Sequence, residues 1–202
     1  GQGINPTTAK SLAAYVAASG SRTSLDLSRN RLCGVWKERR VEMGTYTAEG
    51  IKAIADALRV SGSLTSLDVG SNGIGKEAAL SLVSIFKEKD QMKSVDLSMC
   101  ELGVEEAKAV ADYVCVSRSL TVANVLRNNL DVESAKMLAE VVKHKGISLC
   151  GISRDQTSAS FRDRHLPVPD AVMLASDLSL LTEVLAFLEP ASSEACSTRA
   201  CI

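Results

Sequence analysis

The stretch that decides the fold is LTSLDVGSNGI, residues 64–74, because closely related runs return at a fixed interval. MKSVDLSMCEL at 92–102 and LTVANVLRNNL at 120–130 each follow the preceding run by the same interval, and RTSLDLSRNRL at 22–32 lies one and a half intervals upstream. Apolar residues alternate with polar ones in these copies, which is the pattern of a short strand with one buried face. The chain is therefore expected to contain four strand segments of one kind.

Each strand segment is followed by a block with helical spacing. After the quoted stretch, apolar residues fall at i, i+3, i+4 and i+7 as Ala79, Leu82, Val83 and Phe86, which makes one apolar stripe along a helix. The same stripe recurs in blocks that begin at residues 9, 51, 107 and 135. Strand and helix alternating at one period predict a solenoid in which each unit buries its apolar face on the next.

The strand pattern resembles L-x-x-L-x-L-x-x-N/C-x-L, the signature of leucine-rich repeat proteins. Each unit has the length of residues 64–91 and contains a full helix, as do the units of the ribonuclease-inhibitor-like subfamily, which the chain therefore resembles. The resemblance covers residues 5–155. It implies an α/β solenoid, a right-handed arc with short parallel strands on the concave face and helices on the convex face. It also implies a column of side chains that bond the backbone and close the turns, namely Asn30, Asn72, Cys100 and Asn128.

Composition and charge limit the function classes. Apolar residues make up 46% of the chain, enough for a sizeable core, and the net charge of −1 comes from scattered charges of both signs. That charge balance argues against a nucleic-acid partner and against an anionic membrane partner. No apolar run approaches the ~18 residues that a membrane span needs. The chain starts with glycine instead of methionine, which favours a piece excised from a longer chain.

Cysteine usage indicates a reducing compartment. The six cysteines are Cys33, Cys100, Cys115, Cys150, Cys196 and Cys201. They lack the spacing of a disulfide framework, and a chain of this size does not need such staples. Free thiols and a cytoplasmic location are therefore expected.

One motif points to a nucleotide. GSNGIGKE, residues 70–77, matches the phosphate-loop pattern of two glycines and a lysine at a helix start. However, Asn72 and Ile74 belong to the repeat columns, and the related runs lack these glycines. The position that should hold a magnesium-binding hydroxyl is Glu77, whose carboxylate would repel phosphate. A structural turn is predicted, and no nucleotide is expected at Gly70–Lys76.

No pattern indicates catalysis or a metal. The two histidines, His144 and His165, have no cysteine partner at zinc-ligand spacing, and Cys196 and Cys201 lack a local histidine. Neither a Gly-x-Ser-x-Gly elbow nor a His-Glu-x-x-His pair is present. The chain is expected to be non-catalytic, with no metal and no cofactor.

An insertion after Leu32, covering 33–46, is the first candidate binding feature. Insertions in repeat proteins map to loops on one face, often the binding face. This one contains residue types that are enriched at interface hot spots, namely Trp36, Arg39, Arg40 and Tyr46. The alternative is that Trp36 packs back on the neighbouring loops.

The concave face supplies the second candidate. Residues between the buried strand positions should stack in register and form a ladder, namely Asp26, Asp68, Asp96 and Asn124. Three carboxylates predict a basic partner. The alternative is a structural role, because the tripeptide Leu-Asp-Leu is common in the subfamily that the chain resembles. Toward the carboxyl end, Val122, Leu126 and Arg127, with Met99 alongside, predict a mildly apolar, positively charged patch that a partner could cover.

Regularity ends after residue 145. The repeat solenoid is expected over 1–155, and 156–190 is expected to hold an irregular segment and a helix that caps the solenoid. Asp170 is a candidate N-cap of that helix. A degenerate further repeat is the alternative for 177–190, and a disordered tail is expected for 191–202.

A repeat solenoid without a catalytic pattern predicts a scaffold that presents its surface to another protein. The resemblance leaves two alternatives open. One is a regulator of an enzyme, since relatives of the subfamily include ribonuclease inhibitors and activators of Ran-type GTPases. The other is a ligand-sensing segment of a larger intracellular receptor.

Overall fold

The computed structural model of this protein describes residues 3–38, 41–153, 156, 159, 161 and 166–188. Several residues named above lie outside the described residues, namely Arg39, Arg40, His165, Cys196, Cys201 and the predicted tail at 191–202.

Helices and short strands alternate along the described chain. The helices are α1 (Pro6–Ala18), α2 (Glu49–Val60), α3 (Gly75–Glu88), α4 (Val104–Val116), α5 (Val132–Lys143) and α6 (Val168–Leu188). The strands are β1 (Ser24–Asp26), β2 (Val35–Glu38), β3 (Val41–Gly44), β4 (Ser66–Asp68), β5 (Ser94–Asp96) and β6 (Val122–Asn124).

Four strands form one parallel sheet in the order β1-β4-β5-β6. Equivalent residues of the repeats pair directly, so Leu25 lies beside Leu67, Leu67 beside Val95, and Val95 beside Ala123. Each strand of this sheet connects to the next through a helix, and the helices α1 to α5 pack one after another in the same order. The α/β repeat solenoid predicted from the sequence is confirmed.

The core lies between the sheet and the helices and is almost entirely aliphatic. The predicted stripe of α3 is fully buried, as are the inward residues of β4 and β5. Burial of each such side chain stabilises the fold by about 1.5–3 kcal/mol relative to its exposure. Phe86 of α3 and Tyr113 of α4 supply an aromatic contact, with ring centroids 5.6 Å apart.

Local sequence signals fix where helices start. Asn5 caps α1, since its Oδ1 accepts the Thr8 backbone N–H at 3.0 Å while Thr8 Oγ1 accepts the Asn5 N–H at 2.9 Å. Pro6 follows as the first helical residue, where its missing N–H costs nothing. Asp131 caps α5 in the same way by accepting the Ser134 N–H at 2.7 Å.

Helix ends are tied to each other across neighbouring repeats. The Lys89 ammonium, at the end of α3, donates to the Ser61 carbonyl at the end of α2 with a distance of 2.8 Å. Two repeats later, the Lys145 ammonium donates to the Ser117 carbonyl at the end of α4 with a distance of 3.0 Å. A cation at a helix carboxyl end satisfies carbonyls that have no partner within the helix.

The asparagine column links consecutive turns. Asn72 is buried, and its Nδ2 donates to the carbonyls of Leu27 in the preceding repeat and of Val69 in its own, both at 2.8 Å. Asn128 repeats this arrangement two units later. Cys100 replaces the amide with a thiol that donates to the Val69 carbonyl at 3.4 Å. These bonds satisfy backbone groups that the turns leave without a strand partner.

The residue before that column has a left-handed backbone in all four repeats. These residues are Arg29, Ser71, Met99 and Arg127, with φ between 53° and 59°. None of them is glycine, so each turn holds a conformation that costs L-residues roughly 1 kcal/mol. The conformation is retained because the hydrogen-bonded turns on both sides determine it.

The carboxyl-terminal helix α6 packs against α5. Its buried Asp177 accepts the backbone N–H groups of Leu149 and Cys150 at 3.0 and 2.9 Å, together with the Ser148 hydroxyl. The sequence favoured Asp170 as a helix cap, and this is wrong. Because α6 begins earlier, at Val168, Asp170 lies in its first turn and accepts the Arg127 N–H at 2.9 Å.

Among the helices that the structure describes, none combines the length and the apolar character that crossing a membrane requires.

Candidate protein-binding surfaces

A groove runs along the open face of the parallel sheet, with a cavity volume of about 870 Å³. Residues of all four parallel repeats line its floor, and Arg29 and Arg127 stand near its two ends. Residues that follow the last repeat, among them Ile152 and Phe161, form the wall at the carboxyl end. The lining of the groove therefore includes residues beyond the repeats as well as the strands themselves.

The predicted ladder stacks in register along this groove. Asp26 pairs with Asp68, Asp68 with Asp96, and Asp96 with Asn124 as neighbours on adjacent strands. Exposure falls along the ladder, since Asp26 is exposed, Asp68 and Asp96 are half-buried, and Asn124 is buried. The side chains that a ligand can reach are thus concentrated at the amino-terminal end.

Each carboxylate of the ladder closes its own turn. Asp26 accepts the N–H of Ser28 at 2.8 Å, Asp68 that of Gly70 at 2.8 Å, and Asp96 that of Ser98 at 2.9 Å. Asp96 is further engaged by the Ser98 hydroxyl at 2.6 Å and by the Asn124 amide at 2.6 Å. Asp26 and Asp68 are therefore the carboxylates best placed to meet a cationic side chain.

Proton affinity differs between those two carboxylates. Burial raises the pKa of Asp68 to about 6, the charges of Asp96 and Asp26 add to this, and the hydrogen bond from Gly70 opposes it. Hydrogen bonds from Ser28 lower the pKa of the exposed Asp26 carboxyl. Near neutral pH the ladder is therefore charged at Asp26, whereas the charge of Asp68, on the next strand, changes with pH.

The predicted exposure of Asn124, Val122 and Leu126 is wrong. Asn124 and Val122 are buried, and Leu126 is 1% exposed. The reason is that the chain folds back after the last repeat and places Gly151 over β6, where a Cβ would lie 3.1 Å from the Asn124 amide nitrogen. Arg127 and Met99 remain exposed on the same side.

The insertion after Leu32 folds into an antiparallel hairpin of β2 and β3. Trp36 is half-buried, with the Arg31 guanidinium 4.2 Å from its ring centroid, a distance typical of a cation–π contact. Its ring also fills the space over Gly44, where a Cβ would lie 2.7 Å from Trp36. The tryptophan is thus partly used to hold the hairpin together.

Tyr46 anchors the end of this hairpin to the next repeat. Its hydroxyl donates to the Ile74 carbonyl at 2.8 Å, and its ring lies 3.3 Å from the position of a Cβ on Gly75. Gly75 has a φ of +64°, so any side chain there would be strained as well as crowded. Tyr46 nevertheless remains 42% exposed.

A small cleft separates the hairpin from the turns of the following repeats, with a volume of about 260 Å³. Val35 and Trp36 line one side, and Gly73, Met99 and Glu101 line the other. On the outer strand, Val41 and Met43 are also exposed. These two residues were not among the binding residues predicted from the sequence, although the period-two pattern of Val41-Glu-Met43 is a signal for one apolar face of a strand.

The phosphate-loop segment is a structural turn, and three of its backbone donors bond protein acceptors. The N–H of Gly70 bonds Asp68 Oδ1 at 2.8 Å, that of Ser71 bonds the Ser98 carbonyl at 2.8 Å, and that of Gly75 bonds the Cys100 carbonyl at 3.3 Å. The Lys76 ammonium pairs with Glu105. A phosphate that used any of these three N–H groups would first have to break the bond that the group already makes.

No cation site emerges in the part of the chain that the structure describes, since nowhere in it do three or more His, Cys, Asp or Glu side chains converge to hold a metal.

Similarity to known proteins agrees with this geometry. The family model described as "Leucine Rich repeat" matches residues 61–83, which include β4 and much of α3. The chain contains a leucine-rich repeat segment and has the fold of a leucine-rich repeat solenoid. Human NACHT, LRR and PYD domains-containing protein 13 is 27% identical over 99 residues, which cover 49% of this chain and 10% of that protein. The mouse protein 14 of the same name is 26% identical over 137 residues, covering 60% of this chain and 14% of its own length.

Solved structures show the same fold at low sequence identity. The tropomodulin C-terminal domain of Caenorhabditis elegans superposes with a TM-score of 0.59 and 12% identity, covering 89% of this chain and 96% of that domain. Leiomodin-1 actin-binding site 2 gives a TM-score of 0.59 and 12% identity, covering 87% and 88%. This leucine-rich repeat chain spans about a tenth to a seventh of the curated relatives but nearly all of these two domains.

Proposed function

We propose that this chain is a non-catalytic scaffold that binds another protein along the groove of its parallel sheet. The observation that carries the proposal is the groove itself, in which equivalent polar side chains of successive strands point into one channel of about 870 Å³. A channel of this length suits an extended peptide or a helix better than a compact small molecule, because it is open along its length.

The charge of the groove indicates the chemistry of the partner. Asp26 and Asp68 are the accessible carboxylates, and no ion pair joins either of them to a described lysine or arginine. A partner segment with lysine or arginine would complement them. Arg127, just after the last strand of the sheet, favours an acidic or carbonyl group at the other end of the segment.

A photo-cross-linking experiment tests the location of the site. A photoreactive amino acid replaces Ser28 in the groove, and a matched variant carries it at Ser84, which is exposed on α3 on the opposite side of the sheet. Both proteins are irradiated in a lysate of the source cells under reducing conditions. We expect discrete protein adducts from the Ser28 position that are absent from the Ser84 position.

Charge variants show whether the same adducts depend on the ladder. Asp26→Asn with Asp68→Asn should weaken the adducts by roughly tenfold, whereas Glu77→Gln with Glu88→Gln on the helical side should leave them unchanged. Both pairs remove two negative charges, so a general charge effect would weaken the adducts equally. Equal adducts from Ser28 and Ser84, or adducts insensitive to the ladder variants, would contradict the groove as the binding surface.

The hairpin is a second candidate surface for the same function, because Val41, Met43 and Tyr46 expose apolar area beside a cleft. A photoreactive residue at Val41 distinguishes it from the groove. Adducts from Val41 that persist in the ladder variants would place the partner on the hairpin.

The similarity to proteins named for NACHT, LRR and PYD domains favours a second candidate function, a ligand-sensing segment of a larger receptor. Under that hypothesis binding in the groove would change the behaviour of attached domains. Fusion of the segment to such domains, with a readout of their assembly upon partner addition, separates sensing from simple scaffolding.

We infer a reducing, cytoplasmic setting from the thiols. Cys33, Cys100 and Cys150 are buried and unpaired, and burial raises the pKa of each. Buried protonated thiols with hydrogen-bonding roles, such as Cys100, are compatible with a compartment in which disulfides do not form. Thiol titration of the protein purified from its source cells tests this, since a full count of free thiols is expected.

A further inference from the structure

The first repeat differs from all later ones in how well it is covered. Leu12 and Tyr15 of α1 and Leu25 of β1 are partly or largely exposed, with Tyr15 at 55%. Together they line a cavity of about 310 Å³ whose inner wall includes the buried Leu64. This surface, formed by α1 and β1 at the open edge of the sheet, is called the end face below.

Equivalent residues of the next three units show that this exposure is exceptional. The equivalents of Leu12 are Ile54, Leu82 and Val110, those of Leu25 are Leu67, Val95 and Ala123, and those of Tyr15 are Ala57, Ile85 and Tyr113. None of these nine side chains is more than 4% exposed. The repeat pattern thus specifies burial at positions that the first unit leaves open.

The cover in the later units comes from the unit before. Tyr113 of α4, the counterpart of Tyr15, packs on Phe86 of the preceding helix α3. Leu67 of β4 lies beside Leu25 of the preceding strand β1. Among the described residues, Tyr15 instead contacts the Arg22 guanidinium, which lies 5.8 Å from its ring centroid and donates to its hydroxyl at 3.3 Å. What the end face lacks is therefore a preceding neighbour.

Register identifies which part of a neighbour is lacking. Ile4 occupies the position of Leu102, and its N–H donates to the Asn30 amide oxygen at 3.0 Å just as that of Leu102 donates to Asn128 at 3.1 Å. Residues 4–18 are thus the closing turn residue and helix of a unit whose strand is not in the sheet. The place for that strand is the free edge of β1, since the sheet order starts there.

We propose that the end face is a docking site for one further parallel strand with the apolar-x-apolar pattern, joined in the same polypeptide ahead of Ile4. The strand would pair with β1 and lay its two apolar side chains over Leu25 and the α1 stripe. Continuity with the interfaces between the later repeats is the argument, because the same columns meet the same kind of cover there. This proposal is independent of what the groove binds.

An extended chain tests the proposal. A copy of residues 64–73, LTSLDVGSNG, replaces residues 1–3 and joins directly to Ile4, so the added residue equivalent to Leu67 falls one repeat before Leu25. We expect Tm to rise by about 3 °C or more, because apolar surface on the end face becomes buried. We also expect nitration of Tyr15 to fall relative to that of the exposed Tyr46 in the same chain, because Tyr15 lines the cavity beside Leu25 that the added strand would fill.

A matched control separates strand docking from the effect of a longer chain. The control carries the same extension with aspartate in place of its two strand apolar residues, the copies of Leu67 and Val69. It should show the Tm and the Tyr15 nitration of the original chain. An extension that changes neither quantity, or a control that changes both equally, would overturn the proposal.

Sedimentation of the original chain tests the competing occupant. If copies associate as concentration rises and Tyr15 becomes protected in the associated form, a second copy covers the end face and the proposal is wrong. A monomer with reactive Tyr15 over the same concentrations, together with the expected response to the extension, supports it.

Discussion

Asn124 donates a hydrogen bond of 2.6 Å from its Nδ2 to Oδ2 of Asp96, its neighbour in register on β5. This contact ends the carboxylate ladder with a neutral donor at the point where the groove becomes buried. A fourth carboxylate in this place would face Asp96 without water to screen it. The change from aspartate to asparagine in the repeat pattern therefore has a physical reason that is visible only in three dimensions.

Asn124→Asp should consequently destabilise the fold. The variant replaces a donor by an acceptor and puts two carboxylates together, and we expect a loss of about 2–4 kcal/mol at pH 7 by urea unfolding. The loss should shrink as pH falls, because protonation of the introduced carboxyl restores a donor. Asn129→Asp, at an exposed neighbouring position, serves as the control and should change stability little. Equal losses for the two variants would contradict this account.

Asp68 should make stability depend on pH in a defined direction. Burial raises the pKa of its carboxyl from 3.8 to about 6, so between these values the folded state holds a proton that the unfolded state has released. Stability from this residue is therefore present below pH 4 and is lost as pH rises through 6.

Asp68→Asn removes that dependence and keeps the acceptor for the Gly70 N–H. We expect the variant to be more stable than the original chain by about 1 kcal/mol at pH 7.5, a value discounted for the half-exposed position. The difference should vanish at pH 4. Thermal unfolding at a series of pH values measures it, and a difference that stays constant across the series would show that the titrating group is not Asp68.

Lysines that bond helix ends should contribute more to the stability of the fold than lysines in surface ion pairs. Lys89→Met removes the ammonium from the Ser61 carbonyl, and we expect a loss of about 1 kcal/mol, moderated because the Gln91 amide also donates to that carbonyl. Lys52→Met removes an exposed pair with Glu77 and should cost less than about 0.5 kcal/mol. Chemical denaturation of both variants compares them, and a reversed order would refute the assignment.

Nucleotides should leave the protein unaffected. Because Gly70, Ser71 and Gly75 donate their N–H groups to protein acceptors, ATP with magnesium should shift Tm by less than about 1 °C at millimolar concentration. A dose-dependent rise would show that the turn can open around a phosphate. Lys76→Ala provides the comparison, since a true phosphate site would lose the rise in this variant.

The fold could be predicted from the sequence because the information is repeated. Leu67, Val95 and their equivalents recur in the same columns, so a departure from the pattern in one repeat does not hide the pattern that the other repeats show. The register of the ladder followed from the same columns. The subfamily within the leucine-rich repeat proteins stays a prediction.

What failed to follow from the sequence depends on segments without repetition. Burial of Asn124 and Leu126 comes from Gly151 and the residues after it, where no column predicts what lies above the sheet. The hairpin of the insertion likewise has a single copy, so its partner strand and the position of Trp36 could not be checked against another repeat. In both cases tertiary contacts determine which side chains are exposed, and the local sequence pattern does not indicate those contacts.

The bonds between helix ends have a consequence for how this array can change in length. Ser19, Ser61, Lys89, Ser117 and Lys145 occupy one column, and from Ser61 onward serine alternates with lysine along it. From the end of α2 to the end of α5 the period at this position is therefore two units, twice the period of the backbone. Deleting a single unit would bring two ammonium groups or two serines side by side, whereas deleting a pair would keep every junction intact. Gain or loss of repeats in pairs is thus the route that preserves this column.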